Sequence, residues 1–249
     1  MTTNTAYFSN DTMHQYMHNH LWYYANSLFN HMCGLYSSTD IFNYLLTLFR
    51  RYQIGITLDD EVVYWQHDIN NRCNTAKIVK YDTNGLPIDN STRTLQASPG
   101  SSPEYYPFGL HLLPTHPEDM SVAVVSSEKS ALMGATYNVL YLRNDTRLPL
   151  FIACGSTSLV DTLHHLTGRN VTLFPDDAHT QEWTRIAQQH SYLLRSIEVN
   201  DMVHQFVKAN LIPQGSDYST LMVNMRMGVL RNRPTQQKLI YTPEDLYFP

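Results

Sequence analysis

Between residues 13 and 29 the side chains Met13, Tyr16, Met17, Leu21, Tyr24, Leu28 and Phe29 recur at three- and four-residue intervals, the repeat of one buried helix face. Asn10, Asp11 and Thr12 precede them with capping chemistry, so the pattern predicts one helix from Met13 through about Met32. A second helix is predicted over Thr39–Arg50, opened by Ser-Thr-Asp and carrying Ile41, Tyr44, Leu45 and Leu48 on one side. From Ile54 to Tyr81 the period falls towards two. The runs Val62–Trp65 and Lys77–Tyr81 flank the polar stretch Asp68–Asn74, which predicts a β-hairpin or small antiparallel sheet. Asn84–Pro107 holds Gly85, Pro87, Pro99, Gly100 and Pro103 without apolar periodicity, and reads as an interdomain loop.

Beyond Met120 short β-branched runs alternate with helical patterns. Strands are predicted at Val122–Val125, Leu150–Cys154, Val171–Phe174 and Leu193–Val199. Helices are predicted at Glu128–Val139, Thr157–Leu166, Thr180–His190 and Asp201–Ala209. Four βα units in succession imply an α/β fold with a parallel sheet, and such sheets bind ligands at the carboxyl ends of their strands. Here those ends are Ser126-Ser127-Glu128, Gly155-Ser156 and Pro175-Asp176-Asp177. The chain then divides into an N-terminal helical and small β unit (1–107), an α/β unit (108–223) and a C-terminal extension (224–249).

Composition narrows the function. With 43% hydrophobic and 16% charged residues in 249, the chain can bury a substantial core but is sparse in surface ions. Seventeen Lys and Arg against 22 Asp and Glu give a net charge of −5. That balance excludes a protein coating nucleic acid along its whole surface and leaves room for a local basic groove. Cys33, Cys73 and Cys154 are odd in number and widely spaced, as free thiols in a reducing compartment would be. No leader and no membrane-spanning run is seen, so a cytoplasmic location without membrane contact is expected.

The strand ends carry a resemblance. Val124-Val125-Ser126-Ser127-Glu128-Lys129-Ser130-Ala131, then Ala153-Cys154-Gly155, then Gly168–Asp177 ending in Pro175-Asp176-Asp177 resemble the Toprim domain of phage and plasmid primases. The nearest likeness is to primase-related proteins of Bacteroidetes mobile elements. It extends from about residue 39 to 223, through Tyr64–Asp68, Ala76–Asp82, Phe108–Leu113 and Gly215-Ser216-Asp217. The resemblance implies a Toprim-like parallel sheet, an acid/base glutamate on the first strand and aspartates holding Mg²⁺; otherwise no cofactor is expected.

The departures from that pattern fall on the acids. Ser126 stands where the resemblance places the glutamate, Ala178 where it places the second aspartate, and Thr220 closes the downstream aspartate motif after Asp217. A hydroxyl or methyl group supplies no charge to a hard cation, so weak metal binding and impaired catalysis are expected. The remaining candidates for catalysis or Mg²⁺ are Glu128, Asp176 and Asp177. The competing reading makes Asp176 and Asp177 caps of the helix near Thr180, and Glu128 a solvated acid at its own helix start.

For single-stranded nucleic acid the candidates are Arg72, Lys77, Lys80 and Lys129 with Trp65, cations for phosphates beside a stacking face. In the resembling family the equivalent of Lys77 faces the Toprim cleft. The same residues also suit the solvated face of an antiparallel sheet. A replication or transfer protein is the other partner expected, and the oligomeric state is open. His14, His18, His20, His31 and Cys33 are numerous enough for zinc, yet match no standard ligand spacing. The tail, with Arg226, Arg231, Arg233, Lys238 and Leu246–Pro249, reads as a basic arm or as a strap over its own domain.

Overall fold

The computed structural model describes residues 6–17, 20–36, 40–98, 103–141 and 147–226. His18 and the tail beyond residue 226 lie outside them, as do the side chains of His20 and Arg226.

The described part of the N-terminal helical pattern comprises α1 (Asn10–Met17), α2 (His20–Ala25) and α3 (Ser27–Leu35), with a break at Asn26 between the last two. One continuous helix was expected because the apolar spacing runs through Asn26. Asn26 instead takes extended backbone and accepts the Phe29 N–H as the cap of α3. Its amide and the Ser27 N–H both donate to Asp60, each at 2.8 Å. Asp60 is distant in sequence, so the break is a tertiary anchor. At the start of α1 the capping acceptor is Ser9, which receives the Thr12 N–H. Helix α4 (Ile41–Arg51) buries Ile41, Leu45 and Leu48 of the predicted stripe together with Phe49, while Tyr44 is half-buried.

The next region is an antiparallel sheet of β1 (Ile54–Ile56), β2 (Glu61–His67), β3 (Cys73–Lys80) and β4 (Arg93–Gln96), in that order. The hairpin β2–β3 follows the expectation, with Tyr64 opposite Lys77 and a register shift at Gln66/His67. The expected loop over 84–107 is corrected by β4, which pairs with β3. Its side chains are exposed or half-buried; an edge strand held by backbone bonds needs no apolar alternation. Both faces of β2 are covered. Val63 and Trp65 meet Met13 in one small cluster, while Val62 and Tyr64 join the main core.

The second sheet is parallel: β5 (Ser121–Val125), β6 (Leu150–Ala153), β7 (Asn170–Phe174) and β8 (Ser196–Val199), ordered β6-β5-β7-β8. The connecting helices are α5 (Glu128–Tyr141), α6 (Leu159–His165) and α7 (Thr180–His190), with α8 (Met202–Lys208) and α9 (Tyr218–Arg226) after β8. Strand β8 begins three residues later than expected, after a 3-10 turn at Ser191–Leu193. The fold is therefore α/β, with the predicted parallel sheet and the N-terminal helical and antiparallel region. The two sheets share one core. Tyr52 stacks on Phe108 and donates its hydroxyl to the Phe151 carbonyl at 2.8 Å, and Phe108 forms an antiparallel bridge with Ala153 at the edge of β6. Among the described residues no helix is long and apolar enough to cross a membrane.

Candidate functional site at the strand ends

The chain leaves β5 towards β6 on one side and leaves β7 towards β8 on the other. Neighbouring strands whose connections diverge open a crevice at their carboxyl ends. Ser126 follows β5 and Asp176 follows β7, so these residues line it. The Ser126 hydroxyl donates to Asp176 Oδ1 at 2.5 Å, and His179 Nδ1 lies 3.6 Å from Asp176 Oδ2. Burial pushes the Asp176 carboxyl above its ordinary range, opposed by the Ser126 bond and reinforced by the charge of Asp217. Asp176 makes no side-chain capping bond. Asp177 turns the other way: Oδ1 lies 2.8 Å from His204 Nδ1 on α8, and Oδ2 accepts the Gly215 N–H. The Gly215 and His204 bonds hold its carboxyl below the ordinary range. Neither aspartate side chain caps α7, which corrects the capping reading.

Glu128 is not a solvated acid either. Its side chain is 2% exposed and accepts from Lys77 Nζ at 2.8 Å, so that α5 of the parallel sheet is tied to β3 of the antiparallel one. Gly155 makes this placement possible. It has φ +59°, and a Cβ there would stand 2.5 Å from Glu128 Oε1. Beside it, Glu128 Oε1, both amide atoms of Gln66 and the Thr157 hydroxyl are buried without a hydrogen-bond partner among the described residues.

The cations divide. Lys129 is buried, and its ammonium donates to the Gly85 carbonyl at 2.7 Å; burial lowers its pKa, opposed by Asp217 and Asp82. Trp65 is fully buried, edge-on to Phe8 and Tyr16. Both are corrections to the expected nucleic-acid set: a residue enclosed in the core presents neither a stacking face nor a free charge to a ligand. Arg72 is exposed, paired with Asp68 at 2.7 Å and lying over the Tyr7 ring. Lys80 is half-buried at the end of β3.

Asp217 is a residue whose role the sequence did not disclose. Its carboxylate accepts from Thr220 N–H, Thr220 Oγ1, Ser219 Oγ and Ser130 Oγ, binding the start of α9 to α5. Burial raises its pKa, but these hydrogen bonds prevail and hold the carboxyl below its ordinary range. The signal available was Ser219 and Thr220 immediately after an aspartate.

Glu128, Asp176 and Asp177 thus have three separate sets of partners. Among the described residues no three His, Cys, Asp or Glu side chains are grouped as metal ligands. Mg²⁺ requires a set of oxygens in octahedral array, and the described residues do not supply one by themselves.

The architecture is similar to that of primase catalytic cores. The E. coli primase catalytic core matches over 90% of this chain and 81% of its own, with TM-score 0.52 and 15% identity. The DnaG primase catalytic domain bound to ssDNA matches over 85% and 74%, with TM-score 0.53 and 14% identity. The DnaG catalytic core matches over 88% and 77%, with TM-score 0.53 and 14% identity. At such identities the likeness establishes the fold alone. The chain belongs to the family described as a domain of unknown function (DUF6371), whose model matches residues 26–177, more than half of its length. No curated protein matches the sequence.

Proposed function

We propose that this is a primase-related protein of a mobile element or phage, of the kind the motifs resemble in Bacteroidetes, acting in the cytoplasm. It binds single-stranded nucleic acid, or a replication or transfer partner, without efficient nucleotidyl transfer. The division into units ending at residues 107 and 223 belongs to the same reading. Its main support is the strand-end chemistry. A serine hydroxyl occupies the first-strand position and donates to Asp176, while the acid nearest to it in sequence, Glu128, is bound to Lys77. A primase fold keeps its sheet without those acids, because strands need apolar side chains and backbone pairing, whereas phosphoryl transfer needs charge beside phosphate. Of the expected cations, Arg72 is exposed beside the antiparallel sheet and Lys77 and Lys80 on β3 are half-buried, Lys77 being engaged by Glu128.

The test pairs two assays on the full chain: anisotropy of labelled oligo(dT) over a salt series, and template-directed primer synthesis with Mg²⁺ or Mn²⁺. The expected result is binding that weakens steeply with salt and no synthesis above a no-enzyme control. Metal-dependent synthesis that disappears in Asp176→Ala would overturn the catalytic half in favour of an active Mg²⁺-dependent enzyme. Binding that is absent at low salt would overturn the nucleic-acid half and leave a protein-interaction role.

A further inference from the structure

A second polar constellation lies on the far side of Asp177. His204 and Lys208 are four residues apart on α8, so their side chains share a helix face. Both residues line a cleft of about 680 Å³, inside the range of about 300–1,000 Å³ typical of small-molecule sites. Val207, Leu211, Ile212 and Pro213 give it an apolar lining, joined by Asn210 and Gln214.

His204 is already oriented. Its Nδ1 meets Asp177 Oδ1 at 2.8 Å, and Asp177 is held in turn by the Gly215 N–H at 3.0 Å. A carboxylate on Nδ1 fixes the ring and directs Nε2 outward, and the imidazole is 45% exposed. Asp177 has one oxygen engaged by His204 and the other by the Gly215 N–H, so it offers little free charge to repel an anion. A lysine ammonium and an oriented imidazole beside apolar side chains suit a ligand with a phosphate at one end and a flat, weakly polar body at the other.

We propose that the Asp177–His204–Lys208 cleft binds a phosphate monoester carrying a nucleobase, either a free mononucleotide or the phosphorylated 5′ end of a strand. The phosphate sits between His204 Nε2 and Lys208 Nζ, and the base lies on the Leu211–Pro213 wall. Asp177 is a positioning residue. The site is separate from the Ser126–Asp176 crevice and does not depend on the function proposed there.

Calorimetry on the full chain tests it with four probes: AMP, adenosine, and a dT decamer with a 5′-phosphate or a 5′-hydroxyl. The expected result is binding of at least one phosphorylated probe about tenfold tighter than its unphosphorylated partner, as a charge-assisted contact gives. Preference for AMP identifies a mononucleotide site, and preference for the phosphorylated decamer a strand-end site. His204→Gln and Lys208→Ala should each abolish the phosphate preference with the thermal midpoint unchanged. Equal binding with and without the phosphate, no binding of either phosphorylated probe at millimolar concentration, or a preference surviving both substitutions would overturn the proposal. Should a variant fail to fold, the four-probe comparison on the unsubstituted chain still decides.

Discussion

Two sets of acidic groups follow the carboxyl ends of neighbouring strands, β5 and β7, and have opposite fates. At the seam between the sheets, Glu128 is 2% exposed and bound to Lys77, with Gly155 leaving room for its carboxylate. At the open edge, Asp176 and Asp177 are 20% and 10% exposed and are met by Ser126, His179, His204 and Gly215. The seam uses charge to join two layers, so its groups are neutralised inside the protein. The edge keeps carboxylates and imidazoles within reach of solvent. An acid in a sequence motif is therefore a candidate for chemistry only after its partner is known.

The largest expected effect lies at the seam. Lys77→Met leaves the Glu128 carboxylate buried and uncompensated, and should lower stability by about 3 kcal/mol or more, read as a drop in the denaturant midpoint. Glu128→Gln, which leaves Lys77 still 24% exposed to solvent, should cost about 1 kcal/mol. Equal losses for the two would break the contrast between seam and edge. Next is Gly155→Ala. The added methyl group strikes Glu128 Oε1 on a backbone at φ +59°, and a loss of about 1–3 kcal/mol is expected. The same change at Gly168, where φ is +80° but no atom lies within 4 Å, separates the backbone strain from the contact.

A pH series tests the seam's neighbourhood. His67 and His111 face one another with ring centroids 4.8 Å apart. Burial pushes them down to about 3 and about 4. The unfolded chain takes up these protons near pH 6.5, the folded one only well below, so stability should be full above about pH 6.5 and fall as the pH drops towards 4. Equilibrium unfolding at pH 7.5, 6 and 5 reads this, and His67→Phe should flatten the slope.

The smallest effect belongs to the edge. Because burial raises the Asp176 pKa, its ionised form costs the folded state stability as the pH rises through that value. Asp176→Asn should leave the thermal midpoint unchanged or raise it by a degree or two, a few tenths of a kcal/mol in a chain of this size. A clear loss would show that Asp176 is structural, like Glu128, and would erase the distinction.

Most elements were legible because burial repeats at 3.6 or 2 residues. The four βα units after Met120 needed only apolar strands and alternating helices, and the parallel sheet followed from handedness and connectivity. What escaped was decided by distant residues. Asn26 interrupts a helix because Asp60 reaches it, and β4 exists because β3 offers it a partner. The candidate acids were legible as residue types, but their partners were not. Trp65 and Lys129, whose side chains have the chemistry to meet nucleic acid, are enclosed by Phe8 and Tyr16 in one case and bonded to the Gly85 carbonyl in the other.

The sequence by itself determined the fold class and the strand ends at which ligands meet such a sheet. These follow from local periodicity and residue chemistry. Only the tertiary structure decided that Glu128 closes the seam with Lys77, that Asp217 ties α9 to α5, and that Asp177 orients His204 beside a cleft. A carboxylate's role is set by the groups within about 4 Å of it, and here those groups come from other elements of the chain.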